Sequence, residues 1–151
     1  MLCEDIMMDE VACLSPTDTA QVAACKMRDL KVGFLPVCDA SGKAIGTLTD
    51  RDLAIRVIAD NRSMETLVST LMTKEVIACR PKDDIQRAQY LMAEHQKSRI
   101  VVIRNGGRVA GVISLSDIAQ NVDAQHAAET MREVSEREAV PVARRWRNAM
   151  P

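Results

Sequence analysis

The chain has 151 residues, 47% of them apolar and 27% charged, with a formal net charge of −1 at pH 7. That length holds one compact domain or two small ones sharing a core, and the balanced charge gives no electrostatic grip on a nucleic-acid backbone. No apolar run approaches the ~20 residues needed to span a bilayer, and the acidic opening MLCEDIMMDE lacks the basic-then-apolar layout of a secretory leader, so a soluble, cytoplasmic protein is expected.

In chain order, residues 11–14 form a short apolar run closed by Pro16, which reads as a brief strand. SPTDTAQVAACKMRDLKV follows, with Ala20, Ala23, Ala24, Met27 and Leu30 at helical spacing and Asp18 where a helix start favours an acceptor. GFLPVC reads as a strand, Ser41-Gly42 as a turn, and AIGTLT as the returning strand of a hairpin. DRDLAIRVIAD reads as a helix with Asp52 in or just before its first turn. The series then recurs. Residues 76–79 stop at Pro81, and a helix follows with Ile85, Ala88, Leu91 and Met92 on one face and Asp83 or Asp84 at its start. RIVVIR and VAGVIS flank a turn at Asn105-Gly106-Gly107, and LSDIAQNVDAQ carries Asp117 into a last helix.

Sliding the chain by 65 residues makes the repetition explicit. Leu2 meets Leu67, Met7 meets Met72, Pro16 meets Pro81, Gly46 meets Gly111 and Asp52 meets Asp117, with no gap from residue 2 to residue 58. Self-similarity at one fixed period means one supersecondary unit made twice. The unit is β-α-β-β-α, an α/β arrangement, and two copies packed by a pseudo-twofold axis bury sheets that neither buries well alone. The expected divisions are 1–62, 63–123 and a tail, 124–151.

GTLTDRD at 46–52 and GVISLSD at 111–117 each join a glycine, a hydroxyl and an aspartate at fixed offsets. Asp52 and Asp117 sit at a strand end beside the free N–H groups of a helix start, where a carboxylate can accept hydrogen bonds from neighbouring ribose hydroxyls. Thr49, Ser114 and the first-turn amides can hold sugar or phosphate oxygens. Either aspartate taken singly also reads as a helix cap. Duplication of glycine, hydroxyl and carboxylate together points to a site.

The repeated unit, the LPV strand at 35–37 and the G-x-x-T/S-x-x-D motif resemble the cystathionine-β-synthase-type, or CBS, domain. The resemblance covers residues 1–123 as a tandem pair, and GTLTDRDLAIRVIAD is similar to stand-alone bacterial CBS-pair proteins. It implies two inter-repeat clefts for adenosyl ligands (AMP first, with ATP, ADP, NAD or S-adenosylmethionine as alternatives), a homodimer, and a regulatory role read out on an effector protein. Carried over by motif, one cleft would use Ser114, Ser116 and Asp117 for ribose and phosphate, Arg99 for phosphate, and Ala12, Val32 and Phe34 as its other wall. The second would use Thr49 and Asp52 for ribose, Arg51 for phosphate, and Thr73, Ile77 and Lys97 to complete it. Phe34 stands where the second repeat has Arg99, so the clefts are expected to differ, with the Asp117 cleft favoured. Arg99 also reads as a snorkelling strand-end residue, Arg51 as a solvated first-turn residue, and Met27, Met72 and Met92 as core fillers.

Cys3, Cys13, Cys25, Cys38 and Cys79 form no C-x-x-C pair, and His95 and His126 are isolated, so metal-ligand spacing is absent and no metal is expected. Free thiols packed as small hydrophobes fit a reducing compartment. Cys13 and Cys38 each end a strand, and as neighbours they would form a redox-sensing pair. Beyond 123, Ala127, Met131 and Val134 fall at helical spacing, and Arg144, Arg145, Trp146 and Arg147 make a basic tail suited to packing or dimer contact. No nucleophile–histidine constellation and no opposed pair of carboxylates marks an enzyme. The remaining alternatives are a ligand-free dimerisation scaffold and a redox-sensing stress protein acting through a partner.

Overall fold

A computed structural model of the chain describes residues 1–136 and residue 149. The basic segment Arg144, Arg145, Trp146 and Arg147 lies outside the described residues. The first repeat contains α1 (Cys3–Ile6), α2 (Ala20–Leu30), β1 (Phe34–Cys38), β2 (Ala44–Thr49) and α3 (Asp50–Leu53), which runs on into a π-helical stretch, Ala54–Ala59. The second contains α4 (Val68–Leu71), β3 (Ala78–Cys79), α5 (Ile85–His95), β4 (Arg99–Ile103), β5 (Val109–Ser114) and α6 (Leu115–Asn121), and α7 (Ala124–Ser135) follows. The expected β-α-β-β-α order is present in full in the second repeat, and the first differs only in its leading strand. The short leading helices α1 and α4 are additions that apolar periodicity, tuned to longer windows, does not register.

Matching residues build the two halves by the same means. The N-cap of α2 is Thr19, which accepts from the Val22 N–H, and that of α5 is Asp84, which accepts from Gln86. Asp18 and Asp83 are instead turn residues whose carboxylates accept from the backbone N–H of Ser15 and Arg80, both three residues upstream. Both helices end on a left-handed residue, Lys31 at φ 55° and Gln96 at φ 50°. The hairpins β1–β2 and β4–β5 are antiparallel with equivalent registers, Val37 opposite Gly46 and Val102 opposite Gly111.

One local difference has a direct cause. The Val101 N–H donates to the Ile77 carbonyl, extending the parallel pairing of β3 with β4. The equivalent of Val101 is Pro36, which has no N–H to give Ala12. Residues 11–14 therefore reduce to a single bridge, Leu14 to Val37.

The leading segments are exchanged between the halves. Met8, from the first repeat, bridges Val112 of β5, and Thr73, from the second, bridges Thr47 of β2. Each core consequently draws on both repeats: Val68 and Leu71 pack with Leu14, Met27 and Leu48 of the first, and Cys3 packs with Met92, Ile100 and Ile118 of the second. Lys43 bridges its own equivalent, Arg108, where the two hairpin turns meet.

Two helices depart from expectation. The run 115–125 is broken at Val122, whose extended backbone (φ −108°, ψ 152°) ends α6, and Asp123 then caps α7. On α7 the buried residues are Thr130 and Val134, whereas Met131 is half exposed. Thr130 can be buried because its hydroxyl donates to the His126 carbonyl at 3.0 Å and accepts from Gln89 at 2.8 Å.

Candidate functional site

The strand-to-helix turns are built as reciprocal caps. Thr49 accepts from the Asp52 N–H at 3.1 Å, and Asp52 Oδ2 accepts from the Thr49 N–H at 2.9 Å. Ser114 and Asp117 repeat the exchange at 3.2 and 2.7 Å, and the Ser114 hydroxyl also donates to Asp117 Oδ2 at 2.6 Å. A hydroxyl at the N-cap with a carboxylate three residues on is a capping box, so hydroxyl and aspartate together already have a structural reason. The glycine has one too. A Cβ on Gly46 would lie 2.6 Å from Met72 Sδ and 2.9 Å from the Thr73 carbonyl oxygen, and one on Gly111 would lie 2.6 Å from the Met8 carbonyl oxygen. The glycines admit the exchanged segments. Duplication of the motif therefore does not by itself imply a ligand, because capping and close packing account for all three of its residues.

Position supplies what the motif does not. A cavity of about 380 Å³ opens between the repeats on the Asp52 side. All six residues assigned to the second cleft line it: Thr49, Arg51 and Asp52 from one repeat, Thr73, Ile77 and Lys97 from the other. Phe34 and Arg99, assigned to the opposite cleft, line this cavity as well. They are equivalent first residues of β1 and β4, so the pseudo-twofold brings both to the same inter-repeat mouth, and offset alignment could not show which cleft each would face. Ala12, Val32, Ser114, Ser116 and Asp117 are not among its walls. Ser114 pairs with Arg99 across β4–β5, so the Asp117 turn begins one cross-strand neighbour beyond the cavity. Ala12 and Ser116 are exposed, and Val32 packs against the first core.

Sequence reasoning missed Arg56, Thr47, Gly33, Asp50, Glu75, Ser98 and Val101 on these walls. Arg56 had a signal, since it lies one helical turn beyond Asp52. Its Nη2 is 3.4 Å from Asp52 Oδ1 and donates to Thr73 Oγ1 at 3.3 Å, while Nη1 donates to the Leu71 carbonyl. Among the described residues, Arg51, Lys97 and Arg99 form no ion pair. The cavity walls thus carry three carboxylates, Asp50, Asp52 and Glu75, and four cations, of which Arg51, Lys97 and Arg99 are uncommitted to an ion pair among the described residues, with Phe34 and Ile77 as apolar wall.

The cysteines form two contacts. Burial, and after it the hydrogen bond with Cys13, pushes the Cys38 thiol up to about 12. Cys3 and Cys79 are a second neighbouring pair, unforeseen because they join α1 to the other repeat: their hydrogen bond lowers Cys3 and raises Cys79. All five thiols are free. Among the described residues, no cluster of three or more His, Cys, Asp or Glu side chains could hold a metal ion, and no helix is long and apolar enough to cross a membrane.

The CBS domain family model matches residues 3–59 and 68–124. Hypoxic response protein 1 of Mycobacterium tuberculosis is 32% identical over 124 residues, covering 82% of this chain and 85% of that protein. Its solved structure, with two coordinated zinc ions, superposes with a TM-score of 0.74 at 31% identity over 82% of this chain and 100% of that one. The CBS domain pair of protein MJ0100, in complex with 5′-methylthioadenosine and S-adenosyl-L-methionine, gives a TM-score of 0.73 at 23% identity, over 80% and 94% of the two chains. CBSX2 in complex with AMP gives 0.70 at 21%, over 87% and 98%. At those last two identities the likeness is one of fold.

Proposed function

The chain belongs to the CBS-domain family, and from that premise we propose that it is a regulatory module that senses an adenosine phosphate in the cavity between its repeats. The observation that carries this reading is the placement of Asp52 together with Arg51, Lys97 and Arg99 in one inter-repeat cavity. Asp52 Oδ2 serves the helix cap and its carboxylate keeps lone pairs for the hydroxyls of a ribose. Free guanidinium and ammonium groups suit a phosphate, and Arg does so bidentately. Phe34 and Ile77 supply apolar surface for a base. Adenosyl ligands in the same fold, AMP in CBSX2 and S-adenosyl-L-methionine in MJ0100, support the ligand class.

Charge selects within it. Four cations on the walls, Arg51, Arg56, Lys97 and Arg99, against three carboxylates, Asp50, Asp52 and Glu75, leave an excess of one positive charge, which favours AMP, ADP, ATP or NAD over a sulfonium. The Asp52 cavity is accordingly the proposed site, in place of the Asp117 cleft favoured by motif. No resident metal or catalytic step is invoked. A ligand gripped by both repeats shifts their relative arrangement only through its differential affinity for the arrangements, and the readout passes to a homodimer contact or an effector protein. Calorimetric titration with AMP and with S-adenosylmethionine tests the reading: AMP is expected to bind saturably and more tightly, and equal or reversed affinities would contradict it.

A second reading, redox sensing through Cys13 and Cys38, is favoured by the closeness of the two thiols, near enough for Cys13 to act on the proton affinity of Cys38. Thiol titration before and after peroxide treatment is expected to show loss of two thiols in that case. Five free thiols in both states would eliminate it.

A further inference from the structure

We infer that Arg56 is a positioning residue of the cavity: it fixes the Asp52 carboxylate for the ligand and ties it to the exchanged segment that forms the opposite wall. The inference rests on the Asp52 cavity being an adenosine-phosphate site. The two carboxylate oxygens are held from two sides, Oδ2 by the Thr49 N–H at 2.9 Å and Oδ1 by Arg56 Nη2 at 3.4 Å. A carboxylate contacted at both oxygens is restrained about its terminal torsion, which is otherwise broad. The same guanidinium donates to the Leu71 carbonyl and to Thr73 Oγ1. Only a planar, multi-donor head spans such partners at once. Asp52 belongs to the first repeat and Thr73 to the second, and both line the cavity. One side chain therefore sets both the direction of the proposed ribose acceptor and its distance from the facing wall.

The other half of the molecule lacks this device. The equivalent of Arg56 is Asn121, whose amide donates to the backbone carbonyl of Asp117 at 2.9 Å and so stays on its own helix. Asp117 takes two hydrogen bonds on Oδ2 alone, from the Ser114 N–H and hydroxyl. The backbone differs as well: Arg56 lies in the π-helical stretch Ala54–Ala59, whereas Asn121 closes an α-helix. π-helical turns are rare and recur at functional sites. Arg56 thus distinguishes the two pseudo-equivalent turns in chemistry and in geometry.

A double-mutant cycle on AMP affinity tests the inference, using calorimetry on the full chain with Asp52→Asn, Arg56→Gln and the double variant. Arg56→Gln is expected to weaken AMP by on the order of tenfold, the scale of one lost charge-assisted hydrogen bond. The double variant is expected to bind no more weakly than Asp52→Asn alone, because Arg56 acts through that carboxylate. Arg56→Lys, which keeps the charge and loses the fork, should fall between wild type and Arg56→Gln. An affinity for Arg56→Gln within about twofold of wild type, or losses that simply add in the double variant, would overturn the inference and assign Arg56 a bracing role only. Arg56→Lys takes the place of Arg56→Gln should that variant not fold: weaker AMP binding at preserved charge supports the inference, and an affinity within about twofold of wild type overturns it. Failure of the wild-type chain to bind AMP would sink the site reading itself, and that is read from the wild-type titration alone.

Discussion

At the residue scale, the small repeated side chains do steric and capping work that can be measured. Alanine at Gly111 would press on the Met8 backbone oxygen at 2.6 Å, whereas at Gly46 the nearest atom is a flexible methionine sulfur and the backbone oxygen lies at 2.9 Å. Gly111→Ala is expected to destabilise by about 1–3 kcal/mol and Gly46→Ala by less, measured as urea midpoints, and equal neutrality of both would contradict the close crossing. Ser114→Ala removes the hydroxyl of a capping box and should cost about 1 kcal/mol. Cys38 adds a pH dependence. Its thiol titrates near 12 in the fold against an ordinary value of 9.0, so above pH 9 the unfolded chain releases a proton that the native state keeps, and stability falls with pH. That contribution is whole below 9 and is lost progressively up to about 12. Urea unfolding at pH 8, 9 and 10 should show a shallower decline for Cys38→Ala than for wild type, and identical slopes would remove the thiol as the cause. Asp52, Arg51, Thr73, Ile77 and Lys97 could be named because the CBS resemblance carries a cleft over onto them by motif. Arg56 had only its helical offset from Asp52 to suggest it, because the rest of its role depends on a segment from the other repeat lying against it.

Elements were legible where local chemistry governs them. Both hairpins and the long helices α2 and α5 follow from alternation, turn glycines and helical spacing, and Ile85, Ala88, Leu91 and Met92 are all buried as that spacing requires. Ala24 and Leu30, at the same spacing on α2, remain exposed, because the apolar stripe there is broader than the surface that covers it. On α7 hydropathy picks Met131, yet the helix turns Thr130 inward, since a threonine with both hydrogen-bonding needs met packs like a small apolar residue. The strand at 11–14 shrinks to one bridge because of a proline in the neighbouring strand, a tertiary cause that no window on 11–14 contains. Ile118 is the test of element packing: it is 1% exposed in the second core. Ile118→Ala should cost about 2–5 kcal/mol by urea unfolding, and a loss below about 1 kcal/mol would place α6 outside the core.

At the scale of the whole molecule, the 65-residue offset revealed two like units but not how they interlock. An alignment of the chain with itself scores Met8 against Thr73 in the same way whether each leading segment folds back on its own repeat or crosses to the other. The structure crosses them, through Met8 to Val112 and Thr73 to Thr47. The exchange places walls from both repeats around the Asp52 cavity, and it is why Phe34 and Arg99 meet there. Occupancy of such a cavity bears on both halves together, which is the physical basis of the proposed sensing. The most direct measurement is calorimetric titration of AMP into wild type, Asp52→Ala and Asp117→Ala, each first verified as folded. The expected result is saturable binding by wild type, abolished or weakened by at least ~100-fold in Asp52→Ala and retained in Asp117→Ala. Binding that survives in Asp52→Ala but is lost in Asp117→Ala, or no binding by the intact wild-type chain, would contradict a sensor built on the Asp52 cavity.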